Sequence, residues 1–99
     1  VKVVFTPRAM RQVEELHTYI AERAGDLIAD GYINRIVRHC ESLDVFPIRG
    51  TRRDDILQGL RTTGFERRVT IAFVVTSDAV LIEGIFYGGQ DFAAKLAKP

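Results

Sequence analysis

After a short apolar run, apolar positions recur at steps of three and four and then give way to strand-like segments apolar on both faces. Residues 3–5 form a short apolar run suited to a buried strand. Thr6 then offers an N-cap hydroxyl, and Pro7 takes the first helical position, where its missing N–H costs nothing. Phe5 and Met10 flank that cap at the spacing of a hydrophobic staple. Ala9, Val13, Leu16, Ile20 and Ala24 recur as one helical stripe, with Gly25 placed to end the helix and Asp26 to cap the next. The second helix carries Ala29, Ile33, Ile36, Cys40 and Leu43 on one face, with Tyr32 beside them. Gly31, inside it, costs about 1 kcal/mol relative to alanine and marks either a close helix–helix approach or a local break. Pro47 ends the helix, because the residue before a proline avoids helical geometry.

Residues 47–55 lose the pattern and read as a charged connection. Beyond them, residues 57–63, 67–76 and Ala79–Tyr87 read as strands. In the middle one Val69, Ile71, Phe73 and Val75 alternate with Arg68, Thr70, Ala72, Val74 and Thr76, so both faces are partly apolar, as in a central strand. Ser77 and Asp78 supply a tight turn, Gly88-Gly89 breaks the last strand, and residues 91–96 form a final helical turn or fray. The short link between the helices predicts an antiparallel hairpin whose apolar stripes need a sheet over them. The expected fold is α+β, ordered β-α-α-β-β-β, with the hairpin packed on a small, mostly antiparallel sheet. Residues 1–99 are expected to make one domain.

Composition narrows the function. No segment has the length of a membrane span, and residues 1–5 are too short for a signal-peptide core, so a cytoplasmic protein is expected. The single cysteine, Cys40, has no partner for an internal disulfide and falls on the apolar stripe as a core residue. His17 and His39 lie on different helices without carboxylates or cysteines at ligand spacing, and no phosphate-loop pattern surrounds Gly88-Gly89. Neither a metal nor a cofactor is expected. Net charge is only +1, but Arg49, Arg52, Arg53, Arg61, Arg67 and Arg68 stand against Asp54, Asp55 and Glu66 in one stretch. Such an excess suits an acidic partner, nucleic acid or protein, or else is a solvated face on which Asp54 and Asp55 balance Arg52 and Arg53.

Five segments, in order, resemble one known family. Phe5-Thr6-Pro7-Arg8-Ala9 is similar to its aromatic-x-Pro-x-Ala lead into the first helix, and residues 16–21 to its helix-one Tyr-Ile segment. Phe46-Pro47 with Gly50 resembles its Phe-Pro-x-x-Gly exit from helix two, and Gly59-Leu60-Arg61 its Gly-Leu-Arg strand start. Residues 85–91 resemble its closing segment, often apolar-x-His-Gly-x-Arg-Asp. Together they identify the chain, over residues 3–92, as a member of the RelE/ParE toxin superfamily of type II toxin–antitoxin systems, nearer the ParE branch.

That resemblance implies either of two activities. RelE-like members cut messenger RNA on the ribosome; ParE-like members are not nucleases and poison DNA gyrase. RNA cleavage needs a base for the 2′-hydroxyl, cations for the phosphorane and an acid for the leaving oxygen. Arg61, Arg67 and Arg68 offer charge, but arginine stays protonated and makes a poor base. Gln90 stands where the family commonly has arginine, and no tyrosine or histidine follows it. Tyr87 occupies the family's histidine position before the glycine, where an aromatic packing at a strand end is the simpler account. The chain is therefore read as a binding inhibitor with no catalytic residues, aimed at DNA gyrase and neutralised, as a hetero-oligomer, by a ParD-like antitoxin. Arg49, Arg52, Arg53, Arg61, Arg67, Arg68, Tyr87 and Gln90 are the candidates for antitoxin or target binding. The alternatives are a ribosome-dependent endoribonuclease and a decayed toxin that only binds antitoxin.

Overall fold

The change of period marks the boundary between two layers. The computed structural model describes residues 2–89 and 92–97. Its elements are β1 (Lys2–Phe5), α1 (Pro7–Ala24), α2 (Asp26–Glu41), β2 (Thr51–Arg52), β3 (Leu60–Phe65), β4 (Val69–Val75), β5 (Ala79–Tyr87) and α3 (Phe92–Ala97). The strands form one sheet in the order β1-β5-β4-β3-β2, antiparallel throughout except where β1 runs parallel to β5. This is the expected α+β arrangement, with one strand more than the hydrophobic pattern shows.

The helical layer forms as its caps and stripes dictate. Thr6 Oγ1 accepts from the Ala9 N–H at 3.2 Å, and Pro7 opens α1. Gly25 alone joins the helices: its N–H donates to Ala21 and its carbonyl accepts from Ala29. Asp26 is therefore not the cap but the first residue of α2, where its carboxylate meets the positive end of the helix dipole. Gly31 neither breaks α2 nor marks a close approach, since a Cβ there would meet only an Arg35 nitrogen at 3.9 Å. The helix ends at Glu41 and tightens into a 3-10 turn, Ser42–Asp44, before Pro47 is reached. Ala9, Leu16, Ala29, Ile36, Cys40 and Leu43 are buried, whereas Ala24, at the end of the α1 stripe, is exposed.

The sheet buries both faces. Ile36, Cys40 and Leu43 pack with Ile71, Phe73 and Val80 on the helical side. Leu60, Ala72 and Phe86 pack under Leu96 of α3 on the other. A β-bulge allots β5 between them. Phe73 pairs with Ile82 but Ala72 with Gly84, leaving Glu83 as an extra residue. Val80 and Ile82 face the helices, and past the bulge the parity switches, so Ile85 and Tyr87 face them too while Phe86 enters the opposite core. At the same point β1 ends, having reached only Ile82. The Ile85 N–H is taken by the side-chain oxygen of Gln12 on α1, at 2.7 Å. Gly84 is required there, because a Cβ would collide with the buried Phe86 ring.

Three strand boundaries depart from the hydrophobic pattern for local reasons. Residues 47–55, read as a connection, contain β2, whose two residues pair with Arg61 and Thr62. β3 begins at Leu60 rather than 57, because the Asp54 carboxylate accepts from the Gly59 N–H at 2.8 Å and Leu60 donates back to Leu57, folding the preceding residues into a turn. β4 begins at Val69 rather than 67, since Glu66 and Arg67 take φ of 48° and 67° and form the β3–β4 turn with Arg68.

The Gln12 contact should be measurable. Gln12→Ala leaves the Ile85 N–H without its partner and should cost about 1–3 kcal/mol in a denaturant titration. A loss below about 0.5 kcal/mol, the range of an ordinary surface change, would show that water replaces the glutamine without penalty.

Candidate functional site

β1 pairs with β5 only as far as Ile82, and α1 overhangs the rest of β5. The result is a cleft of about 520 Å³ between Gln12, Glu15 and Tyr19 on one side and Tyr87, Arg68 and Lys95 on the other. The Gly88 N–H donates to the Arg68 carbonyl at 2.7 Å, tying the end of β5 to the β3–β4 turn. Tyr87 is half-buried and central to an aromatic chain. Its ring lies 5.7 Å from Tyr19 and 6.3 Å from Tyr32, which in turn lies 6.3 Å from Phe65. On the far side of Tyr87 a second hollow of about 490 Å³ is bounded by Ile20, Leu27, Ile28 and Tyr32, and Arg68 and Tyr87 line both. Leu27 and Ile28 are 85% and 60% exposed at its mouth.

The charges sort the candidate arginines into three pairs. Arg52 and Arg53 are neutralised by Asp54 and Asp55, at 2.8 and 2.9 Å, as the local balance suggests. The Asp54 carboxyl is held below its ordinary range, first by the Gly59 N–H and then by Arg52. Arg49 and Arg61 share a knot: Arg49 donates to the Ser42 hydroxyl at 3.1 Å and Arg61 to the Arg49 carbonyl at 3.4 Å. Arg67 and Arg68 stand exposed on the turn rather than on a strand. That turn, left-handed at two residues that are not glycine, is tied to α2 by a two-point bond from Arg35 to Glu66, at 2.8 and 3.1 Å. The same bond keeps the Glu66 carboxyl below its usual range. Burial, followed by the neighbouring Tyr87 and Glu66, pushes the Tyr32 hydroxyl up. Gln90 lies outside the described residues.

Tyr19, Tyr32, Gln12 and Arg35 reach this surface through the crossing of helix and sheet. Tyr19 falls in the Tyr-Ile segment of the first helix and Tyr32 beside the apolar stripe, whereas Gln12 and Arg35 carry no sequence signal. The groups that might do chemistry are withdrawn from this surface. Burial pushes the Cys40 thiol up to about 12, so it is no nucleophile at neutral pH. Burial and then Arg49 hold the His39 imidazole below its ordinary 6.5, and its Nε2 is buried with no hydrogen-bond partner among the described residues. Among the described residues no three His, Cys, Asp or Glu side chains could hold a metal ion. What remains is a shaped surface of tyrosines, aliphatics and arginines, suited to binding.

A family model described as the ParE toxin of type II toxin-antitoxin system, parDE, matches residues 3–92. The chain belongs to the ParE toxin family. Its fold is similar to that of a chain in the solved chromosomal ParDE TA system from P. aeruginosa, with a TM-score of 0.78 at 20% identity. The likeness covers 89% of this chain and 96% of that one. Comparison with curated proteins gives no significant match. Among the described residues, no helix of this ParE-family chain is long and apolar enough to cross a membrane.

His39 gives the site a pH signature. In the unfolded chain the ring takes its proton as pH falls through about 6.5, while burial delays this in the native state. The stability tied to the neutral ring is thus present in full above that pH and lost below it. His39→Phe should lose less stability than the parent between about pH 7 and pH 5. Equal slopes for the two proteins would mean that the ring titrates freely.

Proposed function

We propose that this chain acts as the toxin of a type II pair by binding, in the cytoplasm, with residues 1–99 as one toxin domain. A ParD-type antitoxin neutralises it in a hetero-oligomer, and DNA gyrase is its target. The observation that carries the reading is the family match across residues 3–92. The antitoxin contact is supported by the surface around Tyr87: Leu27 and Ile28 supply exposed apolar area, and Arg67 and Arg68, exposed and without an ion pair among the described residues, supply charge. An acid-rich amphipathic segment that folds on binding matches both. The inhibitor reading is supported by the residue set. Lysines occur only at 2, 95 and 98, so none lies on β3, β4 or β5, and the Cys40 thiol is held neutral by burial. Losing one catalytic group typically costs an acid–base enzyme about 10²–10⁴-fold, whereas binding needs only a complementary surface.

Production of the chain alone should arrest growth with DNA damage, and co-production of its antitoxin should restore growth. Arrest by loss of translation, with codon-specific messenger cuts that vanish in Arg61→Ala, would install the nuclease instead. Normal growth at verified soluble expression would mark a toxin that has kept only its antitoxin contact.

Alanine at both Arg67 and Arg68 should weaken antitoxin binding and flatten its dependence on salt, because screened charge pairs are lost. Unchanged affinity across a salt series would make these arginines solvated surface, or reserve them for the target.

A further inference from the structure

The exit from α2 has no role in the reading above, and it is unusual for a loop. Val45, Phe46 and Ile48 are 66%, 68% and 66% exposed, three bulky apolar side chains within four consecutive residues. The loop that carries them is not slack. Val45 donates to the Ser42 carbonyl at 3.2 Å, and Arg49 to the Pro47 carbonyl at 3.1 Å. The Ser42 hydroxyl donates to His39 at 2.6 Å and accepts from Arg49 at 3.1 Å. Gly50, at φ 81°, closes the loop on β3 so tightly that a Cβ would collide with the Thr62 carbonyl oxygen. The apolar side chains are thus held out in water by a hydrogen-bonded frame.

Beside them stand two half-buried guanidinium groups. Among the described residues neither Arg49 nor Arg61 has an ion-pair partner, in contrast to Arg52 and Arg53 next to them. The Nε of Arg49 is buried, with no acceptor among the described residues, so a partner would meet the terminal nitrogens of this half-buried group. The planar fork of a guanidinium matches a carboxylate.

The geometry points to a docking site, formed by the loop 45–49 with Arg61, for a peptide segment in which a carboxylate adjoins bulky apolar side chains. Apolar area next to arginine is the composition of an interface core, and a frame already ordered lowers the entropy lost on binding. The surroundings argue against a nucleic-acid strand. Glu41 and Asp44 flank the loop and Asp54 lies close enough to feel Arg61, so a run of phosphates would meet carboxylates while a single carboxylate can be placed. The site is also distinct from the hollow at Leu27. That residue opens α2 and the loop follows its end, and 16 helical residues span about 24 Å. This inference rests on the proposed reading only in taking the partner to be a protein.

The probe is a labelled peptide of alternating glutamate and leucine, measured by fluorescence anisotropy. A glutamate–serine peptide and a single-stranded oligonucleotide, each of equal charge, serve as rivals. The glutamate–leucine peptide should bind most tightly. Phe46→Ser and Arg49→Glu should each weaken it about tenfold or more, while Leu27→Ser changes it by less than about twofold. Melting curves confirm that each variant folds. The proposal is overturned if no probe binds, if the serine peptide binds equally well, or if Leu27→Ser is the variant that abolishes binding. It is also overturned if the oligonucleotide binds best and is lost in Arg49→Glu. None of these measurements involves growth or gyrase, so either reading can fail without the other.

Discussion

One extra residue in β5, and the hydrogen bond that compensates for it, set the arrangement of everything else. Were Glu83 absent, Ile85 and Tyr87 would point away from the helices and Phe86 toward them, exchanging the contents of two cores. The bulge leaves an N–H to satisfy where β1 no longer reaches, and Gln12 satisfies it from α1. That bond joins the helical layer to the sheet at the cleft itself. Because the parity switch turns Tyr87 toward the helices, its ring meets Tyr19 and Tyr32, and the two hollows share a wall. The shape of the candidate surface is a consequence of core packing, and its residues need no separate positioning.

Charge is distributed on the same principle. The pairs of Arg52 with Asp54 and Arg53 with Asp55 are exposed and contribute little to stability. Their effect is to remove two arginines from the set that can meet a partner. Among the described residues, Arg67 and Arg68 at one end of the sheet, and Arg49 and Arg61 at its β2 edge, have no ion-pair partner.

The sequence is most legible where period decides structure. The stripes through Leu16 and Ile36, the Thr6 cap, and the Ala79–Tyr87 strand all follow from spacing and local chemistry. Pairs two residues apart, Arg52 with Asp54 and Arg53 with Asp55, are equally visible. What depends on distant partners is not. Arg35 meets Glu66 across 31 residues, and Gln12 meets Ile85 across 73. The left-handed turn at Glu66 and Arg67 has no glycine or asparagine to announce it, so those residues read as strand. The bulge at Glu83-Gly84 is marked in sequence only by a glycine between two apolar runs, which does not say which way the parity turns. The exposure of Phe46 was hidden for the same reason, since an apolar residue at a helix exit reads as core until the fold shows nothing above it.

The proposed function has this ParE-family chain work by occupying its target and not by turnover. Purified gyrase titrated with the protein at several incubation times tests it directly. A binding inhibitor predicts that supercoiling falls in proportion to the toxin added, levels off near a fixed molar ratio, and does not deepen with time. Inhibition absent at any ratio, while a trace of the same preparation degrades messenger RNA on translating ribosomes progressively with time, would contradict the account.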